Sequence, residues 1–269
     1  MKIISFSDIH LEYPKDLTAP HAPDADLMIL SGDILNMNDP APLARFLKPW
    51  DRPVLFVPGN HEYYTRRAMK QEAELFRAWL QENLPTVVFL TDEAFALDGV
   101  NFFGGTMWTD FAGGGKQAMQ DAAGRMKDYE LIRTVDDATP LRPEDTIALH
   151  DEFRKKLLGW LETPLAGPRV IITHHAPALH PTSIHDGSPL IPAFNSLDMT
   201  PVIEQYQPDY WFYGHTHECD TQKIGRTQLI SNQLGYQRTA GYECAKEFDP
   251  AGAPVTVRTG VPKSLRVWA

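Results

Sequence analysis

Side chains that commonly bind metal ions follow short apolar segments at five places in the sequence. The five motifs are Asp8-Ile9-His10, Gly32-Asp33, Gly59-Asn60-His61-Glu62, His174-His175 and Gly214-His215-Thr216-His217. Carboxylate, amide and imidazole groups without thiolates suit Mn, Fe, Zn or Co, and the availability of each metal decides among them. The pattern predicts a metal site if the fold brings these five segments together.

Each motif taken alone also has an ordinary structural explanation. Asp8-x-His10 and Gly32-Asp33 are typical of turns that follow a strand. Asn60 could cap a helix, and the histidine pair at 174–175 could be one core residue and one surface residue. The His-Thr-His motif at 215–217 is the most specific, although an exposed extended segment would explain it too. All five motifs in one chain favour the shared site.

The elements that would position these motifs are short β-strands. Strand candidates are apolar or β-branched segments bounded by Gly, Pro, Asp or Asn, at residues 3–7, 27–30, 54–57, 87–90, 101–103, 170–173, 210–213, 228–231, 255–258 and 265–268. In open α/β sheets, ligands bind beyond the carboxyl ends of the strands. Because five strand ends carry metal-type side chains, we expect one site, and the glycines before Asp33, Asn60 and His215 allow sharp turns there.

Helices are predicted between these strands, over residues 66–83, 117–133, 144–162 and 198–206. The alternation of strands and helices in the first 90 residues indicates right-handed βαβ units and an α/β fold. Two irregular segments, 105–143 and 176–198, interrupt the pattern, and the first contains three glycines at 113–115. Long loops in compact domains are often functional, so we expect both segments to lie over the rim of the site and to set substrate choice.

Composition narrows the class of protein. The 269 residues carry 25 basic and 35 acidic side chains, a formal net charge of −10, which does not favour nucleic acid as a partner. Two cysteines exclude a disulfide framework and fit a reducing compartment. The first apolar segment is too short for a signal peptide, and no run of 18 apolar residues occurs. We therefore expect a soluble cytoplasmic protein; its oligomeric state stays open.

In order and content, the five motifs resemble those of the calcineurin-like metallophosphoesterases. That family carries D-x-H, G-D, G-N-H-E/D, a histidine after a strand and G-H-x-H, which here run from Asp8 to His217. Residues 103–111 and 232–236 also resemble a small bacterial subgroup. The resemblance implies a four-layer sandwich of two mixed β-sheets flanked by helices, the metallo-dependent phosphatase fold, as one domain over residues 1–269.

The resemblance also implies a role for each motif residue. Two metal ions would be held by the family's ligand positions, which are Asp8, His10, Asp33 and His217 for one ion, and Asp33, Asn60, His174 and His215 for the other. A carboxylate that bridges two cations roughly 3.5–4 Å apart lets a water between them lose its proton and attack phosphorus. His61, which is not a ligand in the family, would protonate the leaving oxygen.

The sequence departs from the family at one position that bears on this acid. Many relatives carry an Asp three residues after the bridging Asp, where it orients the acid histidine, and here that residue is Asn36. An amide oxygen could accept a hydrogen bond from the ring of His61, but it supplies no negative charge. Three further residues, Trp108, His185 and Asn195, are candidates for substrate contact.

Three functions are compatible with these motifs. The first is hydrolysis of a small-molecule phosphomonoester or phosphodiester, which the ligand set together with His61 favours. The second is a scaffold that keeps its metals but has no turnover, which would not need His61. The third is a nuclease with the same chemistry, which predicts a basic track that the sequence does not show.

Overall fold

Two large β-sheets pack face to face in the computed structural model, which describes residues 1–13, 17–22, 24–111 and 115–258. The first sheet has the strand order β13-β1-β2-β3-β4 and the second has the order β5-β6-β7-β8-β10-β9. The strands are β1 Lys2–Phe6, β2 Leu27–Ser31, β3 Val54–Val57, β4 Val87–Phe89, β5 Glu93–Leu97, β6 Val100–Gly105, β7 Arg169–Thr173, β8 Tyr210–Tyr213, β9 Thr221–Ile224, β10 Thr227–Ser231, β11 Gln237–Arg238, β12 Gly241–Tyr242 and β13 Val255–Thr256.

Both sheets are mixed. Strands β1 to β4 run parallel, and β13 pairs antiparallel with β1. In the second sheet β6, β7, β8 and β10 run parallel, with β5 and β9 as antiparallel edge strands. Alternate side chains of the two sheets, such as Ile29 and Leu55 from one and Phe102 and Ile172 from the other, form a common buried layer. That layer explains why both faces of the central strands are apolar.

Helices cover the outer face of each sheet. The helices are α1 Ala41–Leu47, α2 Met69–Asn83, α3 Gly115–Arg125, α4 Asp128–Leu131, α5 Pro143–Glu162, α6 Ile191–Phe194 and α7 Met199–Tyr206. Phe46 of α1 and Phe76 of α2 belong to one buried cluster with the first sheet. Phe153 of α5 and Ile203 of α7 pack against the second sheet. The order helix, sheet, sheet, helix confirms the predicted four-layer α/β sandwich.

Most predicted elements are confirmed, with shifted ends. The predicted helix at 117–133 is two helices, α3 and α4, because the chain leaves helical geometry between Arg125 and Asp128. The elements that were not predicted are helices α1 and α6 and strands β5, β9, β11 and β12. Strand β9 is mostly polar, so it has no clear apolar alternation to mark it. The strand predicted at 265–268 and the glycines at 113–114 lie outside the described residues.

The two rim segments pack against each other. Ala118 and Ala122 of α3 share a small buried cluster with Phe111 and Ala193, and Phe194 packs against it. This contact joins segment 105–143 to segment 176–198 above the carboxyl ends of the strands. Within the described part of the chain, no helix is long and apolar enough to cross a membrane.

Candidate metal centre

The five motifs meet at the carboxyl ends of β1, β2, β3, β7 and β8, so both sheets contribute. Five motif residues have left-handed backbone conformations, with φ of +52° at Asp8, +44° at His10, +54° at Asp33, +71° at His215 and +51° at His217. A residue other than glycine held there costs about 1–3 kcal/mol, and such residues cluster at functional sites. The chain therefore leaves each strand in a sharp turn that aims the next side chain at a common point.

Two glycines of the motifs are required because carboxylate groups pack directly against their Cα atoms. A Cβ at position 214 would lie 2.5 Å from Asp8 Oδ2, and a Cβ at position 59 would overlap Asp33 Oδ1. Both contacts are with motif carboxylates, so a larger residue at Gly59 or Gly214 would displace the donor itself. This close packing explains why glycine precedes Asn60 and His215.

Asp8, His10 and His217 form a first donor group. Nε2 of His10 lies 3.3 Å from Nε2 of His217, which lies 3.4 Å from Asp8 Oδ1. On its outer side each ring donates from Nδ1 to a carboxylate, at 3.0 Å to Glu12 for His10 and at 2.5 Å to Glu243 for His217. Those bonds fix the tautomer, so in the neutral rings both Nε2 lone pairs face inward as ligand atoms.

Asp33, Asn60, His174 and His215 form a second donor group. Nε2 of His174 lies 3.0 Å from Asn60 Oδ1, 3.0 Å from His215 Nδ1 and 3.3 Å from Asp33 Oδ1. On its outer side, the ring of His174 donates from Nδ1 to the main-chain oxygen of Ser31 at 3.0 Å. Four donor atoms of the types that bind transition metals therefore converge here.

Asp33 lies between the two donor groups. Its carboxylate is close enough to share a cation with His174 and His215, and equally with His10 and His61. Oδ1 accepts the main-chain N–H of His61 at 2.9 Å. The buried Glu62 accepts the main-chain N–H groups of Asp33, at 2.9 Å, and of Gly59, at 2.6 Å, which ties the turns after β2 and β3 together.

The rim contributes to the second donor group through Asp128. This buried carboxylate of α4 accepts a 2.9 Å hydrogen bond from Asn60 Nδ2 and a 2.5 Å hydrogen bond from the Tyr64 hydroxyl. Because the amide nitrogen of Asn60 donates to Asp128, its oxygen is the atom that faces His174. Segment 105–143 thus orients a motif residue as well as covering the site.

The charges of the donor groups fit a bound cation. Burial lowers the pKa of His217, but hydrogen bonds to Asp8 and Glu243 outweigh it and raise the pKa to about 10. Burial likewise lowers the pKa of His174, and the charge of Asp33 raises it to about 9. The carboxylates therefore draw protons onto these rings, and a metal ion would take the place of those protons.

His61 has a partner on each ring nitrogen. Nδ1 lies 2.9 Å from Glu12 Oε1, and Nε2 lies 2.7 Å from the Tyr236 hydroxyl. Asn36 does not make the expected ring contact; its Nδ2 donates to the main-chain oxygen of His61 at 2.7 Å. The carboxylate beside the ring is Glu12, so the charge that Asn36 cannot supply comes from the turn after β1.

A cleft of about 1240 Å³ opens onto the donor groups. Both rim segments line it with apolar side chains, which are Met126, Leu131, Ile184, Leu190 and Phe194. Three tyrosines, Tyr13, Tyr64 and Tyr236, and three basic residues, Arg125, Lys127 and Arg238, complete its walls. Phe194 reaches the centre itself, since its ring makes an edge contact with His215 at 5.1 Å between centroids.

Of the three candidates for substrate contact, only His185 lines this cleft, and its Nε2 lies 3.0 Å from the main-chain oxygen of Thr216. Trp108 is buried against Tyr63 and His175, as suits a large apolar ring. Asn195 is also buried, where it pairs with Ala176 in an isolated β-bridge. The expectation of direct substrate contact is therefore not supported for Trp108 and Asn195.

Sequence reasoning missed four polar residues around the donors, which are Glu12, Asp128, Tyr236 and Glu243. Glu12 had a usable signal, because it lies two residues after His10 in the same turn. Tyr236 ends the segment 232–236 that resembles the bacterial subgroup, but that resemblance gave it no role at the site. Asp128 and Glu243 lie far along the chain, where no local pattern marks them. Only the fold brings them to the site.

Similarity to known proteins agrees with this geometry. A family model described as calcineurin-like phosphoesterase matches residues 1–219. The chain belongs to this family. Because the family is metal-dependent, the Asp and His groups described above are its candidate ligands.

Two relatives cover most of the chain. The uncharacterized protein L509 of Acanthamoeba polyphaga mimivirus is 28% identical in an alignment of 263 positions that covers 88% of this chain and 92% of that protein. The phosphopantetheinyl hydrolase PptH from Mycobacterium tuberculosis superposes with a TM-score of 0.66 at 18% identity, covering 87% of this chain and 89% of that one. The second likeness shows the fold alone. Since the first relative is viral, membership of a bacterial subgroup stays a prediction.

Proposed function

We propose that this calcineurin-like phosphoesterase is a binuclear enzyme that hydrolyses a small-molecule phosphomonoester or phosphodiester. The observation that carries the proposal is the position of Asp33, whose carboxylate faces two separate groups of ligand-type atoms. One cation would be held by Asp8, His10, Asp33 and His217, and the other by Asp33, Asn60, His174 and His215. Nitrogen and oxygen donors suit Mn, Fe, Zn or Co in both places.

Two bound cations would supply activation of water and neutralisation of charge on the phosphoryl oxygens. The chain's own residues do the remaining work. Glu12, Glu243 and the main-chain oxygen of Ser31 hold the ligand rings in one orientation, and Asp128 holds the amide of Asn60. Such outer contacts are worth about 10–100-fold in metal affinity or activity. His61 lies within reach of Asp33, with Nε2 3.9 Å from Oδ2, where it can serve the leaving oxygen.

We further propose that the two rim segments select the substrate through the apolar wall of the cleft. Ile184 is 81% exposed although it is apolar, and Phe194 extends the wall to the donor group. An alcohol with an apolar or aromatic body would bury this surface on binding, which favours it over a small polar alcohol.

A polymer substrate is less well supported. The basic residues of the cleft are each paired with an acid, as Arg125 with Asp121, Lys127 with Glu130, and Arg238 with Glu243. These short pairs do not form a track along which a phosphate backbone would lie. A small-molecule ester with one reacting phosphate fits the site better, and no observation favours a scaffold without turnover.

Hydrolysis of p-nitrophenyl phosphate and bis(p-nitrophenyl) phosphate, with and without added Mn²⁺, tests the proposal. We expect metal-dependent turnover of at least one ester, and the preferred one reveals whether the enzyme takes monoesters or diesters. His175→Ala is unsuitable as a control, because that ring packs against His215. Leu75→Ala, at an exposed position on α2, is a suitable one. A metal-loaded protein that hydrolyses neither ester would favour the scaffold.

A further inference from the structure

Neither ring nitrogen of His61 is free to meet a leaving group. Glu12 occupies Nδ1 at 2.9 Å, and the hydroxyl of Tyr236 occupies Nε2 at 2.7 Å. The side chain of His61 is only 6% exposed. His61 and Tyr236 both line the cleft. A leaving oxygen therefore receives the proton of Nε2 either after Tyr236 has moved away or through the hydroxyl of Tyr236.

Tyr236 is held in place by contacts of its ring and of its main chain. The ring stacks on His10 at 4.4 Å between centroids and meets the edge of His217 at 4.6 Å. The main-chain N–H donates to Glu243 Oε2 at 2.9 Å, and the guanidinium of Arg238 lies over the ring at 5.4 Å. Tyr236 lines the cleft. Because its ring packs on two motif histidines, it forms a fixed part of the cleft wall.

Glu12 fixes the orientation of the His61 ring. One oxygen, Oε1, accepts from Nδ1 of His10 at 3.0 Å and from Nδ1 of His61 at 2.9 Å. The imidazole therefore presents its Nε2 to Tyr236 in either protonation state.

We propose that the Tyr236 hydroxyl, and not His61 directly, delivers the proton to the leaving oxygen. As the P–O bond breaks, its electron pair stays on the leaving oxygen, which takes the hydroxyl proton of Tyr236. Tyr236 recovers a proton from Nε2 of His61 in the same step, so no tyrosinate accumulates and His61 is left neutral. Glu12 acts as the positioning residue. This relay rests on the proposed phosphoesterase function.

Two esters of similar bulk test the relay. The leaving group of p-nitrophenyl phosphate departs without a proton, whereas that of p-nitrobenzyl phosphate is an alkoxide that needs one. For Tyr236→Phe, which keeps the stacked ring, we expect kcat on the benzyl ester to fall on the order of 10²-fold and kcat on the phenyl ester to change little. Each rate is divided by the fraction of sites that hold metal. If the enzyme prefers diesters, the methyl diesters of p-nitrophenol and p-nitrobenzyl alcohol replace the two monoesters.

Five further variants complete the test. Tyr206→Phe is the control, because it removes a tyrosine hydroxyl that donates to Glu162 at 3.0 Å on α7, and Tyr206 is not among the residues that line the cleft. It should leave both rates unchanged. The double variant Tyr236→Phe/His61→Ala should be no slower on the benzyl ester than His61→Ala alone, because both residues serve one proton transfer. Glu12→Ala should slow the benzyl ester selectively, and Glu12→Gln, which still accepts from Nδ1, should restore part of the loss.

A readout without substrate is the nitrogen NMR spectrum of the imidazole groups. Tyr236→Phe should shift the Nε2 signal of His61, and Tyr206→Phe should not. A benzyl-ester rate for Tyr236→Phe equal to or above that of the wild type, or an unmoved Nε2 signal, overturns the relay, since the hydroxyl would then merely cover His61. A wild type that turns over neither ester overturns the proposed function and the relay together, whereas turnover without leaving-group dependence overturns the relay alone.

Discussion

The two donor groups that Asp33 joins differ in what lies behind them. In the first group, carboxylates hold both rings, Glu12 behind His10 and Glu243 behind His217. In the second group, a neutral main-chain oxygen holds His174, and Nε2 of His215 has no hydrogen-bond partner among the described residues.

The pKa values follow the same division. The pKa of His217 is raised to about 10, whereas burial and then the neighbouring rings of His175 and His174 lower the pKa of His215. The second group instead depends on the rim, through the contact of Asp128 with Asn60. Opposite charge close to a cation stabilises it most where solvent is excluded. We therefore expect the first position to bind its cation more tightly than the second.

The largest expected effect comes from the residue common to both groups. In the proposed centre, Asp33→Asn would remove a negative charge that faces both cations, whereas Asn60→Ala would remove one neutral oxygen from one of them. We expect Asp33→Asn to lower turnover by more than about 10³-fold and to lose more metal than Asn60→Ala. Turnover and metal content are measured on both variants. Equal losses would mean that Asp33 does not serve both positions.

A smaller effect separates the two groups. Glu243→Gln should weaken the tighter of two metal-binding steps by about 10–100-fold, because the carboxylate behind His217 is lost. Asp128→Asn should weaken the other step instead, since it releases Asn60. Calorimetric titration of the chelated protein with Mn²⁺ distinguishes them. If both variants weaken the same step, the division into two groups is wrong.

The pH dependence of thermal stability should also differ between the metal-free protein and the metal-loaded protein. A histidine whose folded pKa is raised stabilises the fold below its unfolded pKa of 6.5 and stops doing so as pH rises through the folded value. For His174 and His217 those folded values are about 9 and about 10. The melting temperature of chelated protein should therefore fall between about pH 6.5 and 10, and saturating Mn²⁺ should flatten the fall. In chelated His217→Gln protein, the melting temperature should fall less steeply with pH than in the wild type. An equally steep fall would contradict the raised pKa of His217.

The smallest effect concerns the rim alone. Ile184 and Val135 are both 81% exposed, but only Ile184 lines the cleft. Ile184→Ser should raise KM for an ester of a bulky apolar alcohol by about two- to tenfold and leave metal content unchanged, and Val135→Ser should change neither. Steady-state kinetics on a bulky and a methyl ester of the same phosphate show the difference. A KM that does not move for either ester places specificity elsewhere in the cleft.

The motifs after the strands were predictable because each combines a local pattern with a local turn. The apolar strand, the glycine and the following donor are neighbours in sequence, so the order of residue types alone places Asp33, Asn60 and His215 at strand ends. The family resemblance supplied the sandwich, which the two packed sheets confirm.

The residues that tune the donors could not be placed in this way. Tyr236 lies 175 positions from His61, and Glu243 lies 26 from His217. Asp128 reaches Asn60 only because the helix predicted over 117–133 breaks, which starts α4 at that residue. The burial of Trp108 was not predictable for a similar reason, since a tryptophan in a rim segment can pack inward or face the surface. Pairings of this kind depend on tertiary structure and leave no periodicity in the chain.

Elemental analysis tests most directly whether two cations share Asp33. Protein equilibrated with excess Mn²⁺ and then freed of unbound metal should retain two equivalents per chain, and Asp33→Asn should retain fewer than the wild type under the same conditions. A wild-type protein that never exceeds one equivalent, however much metal is supplied, would contradict the account.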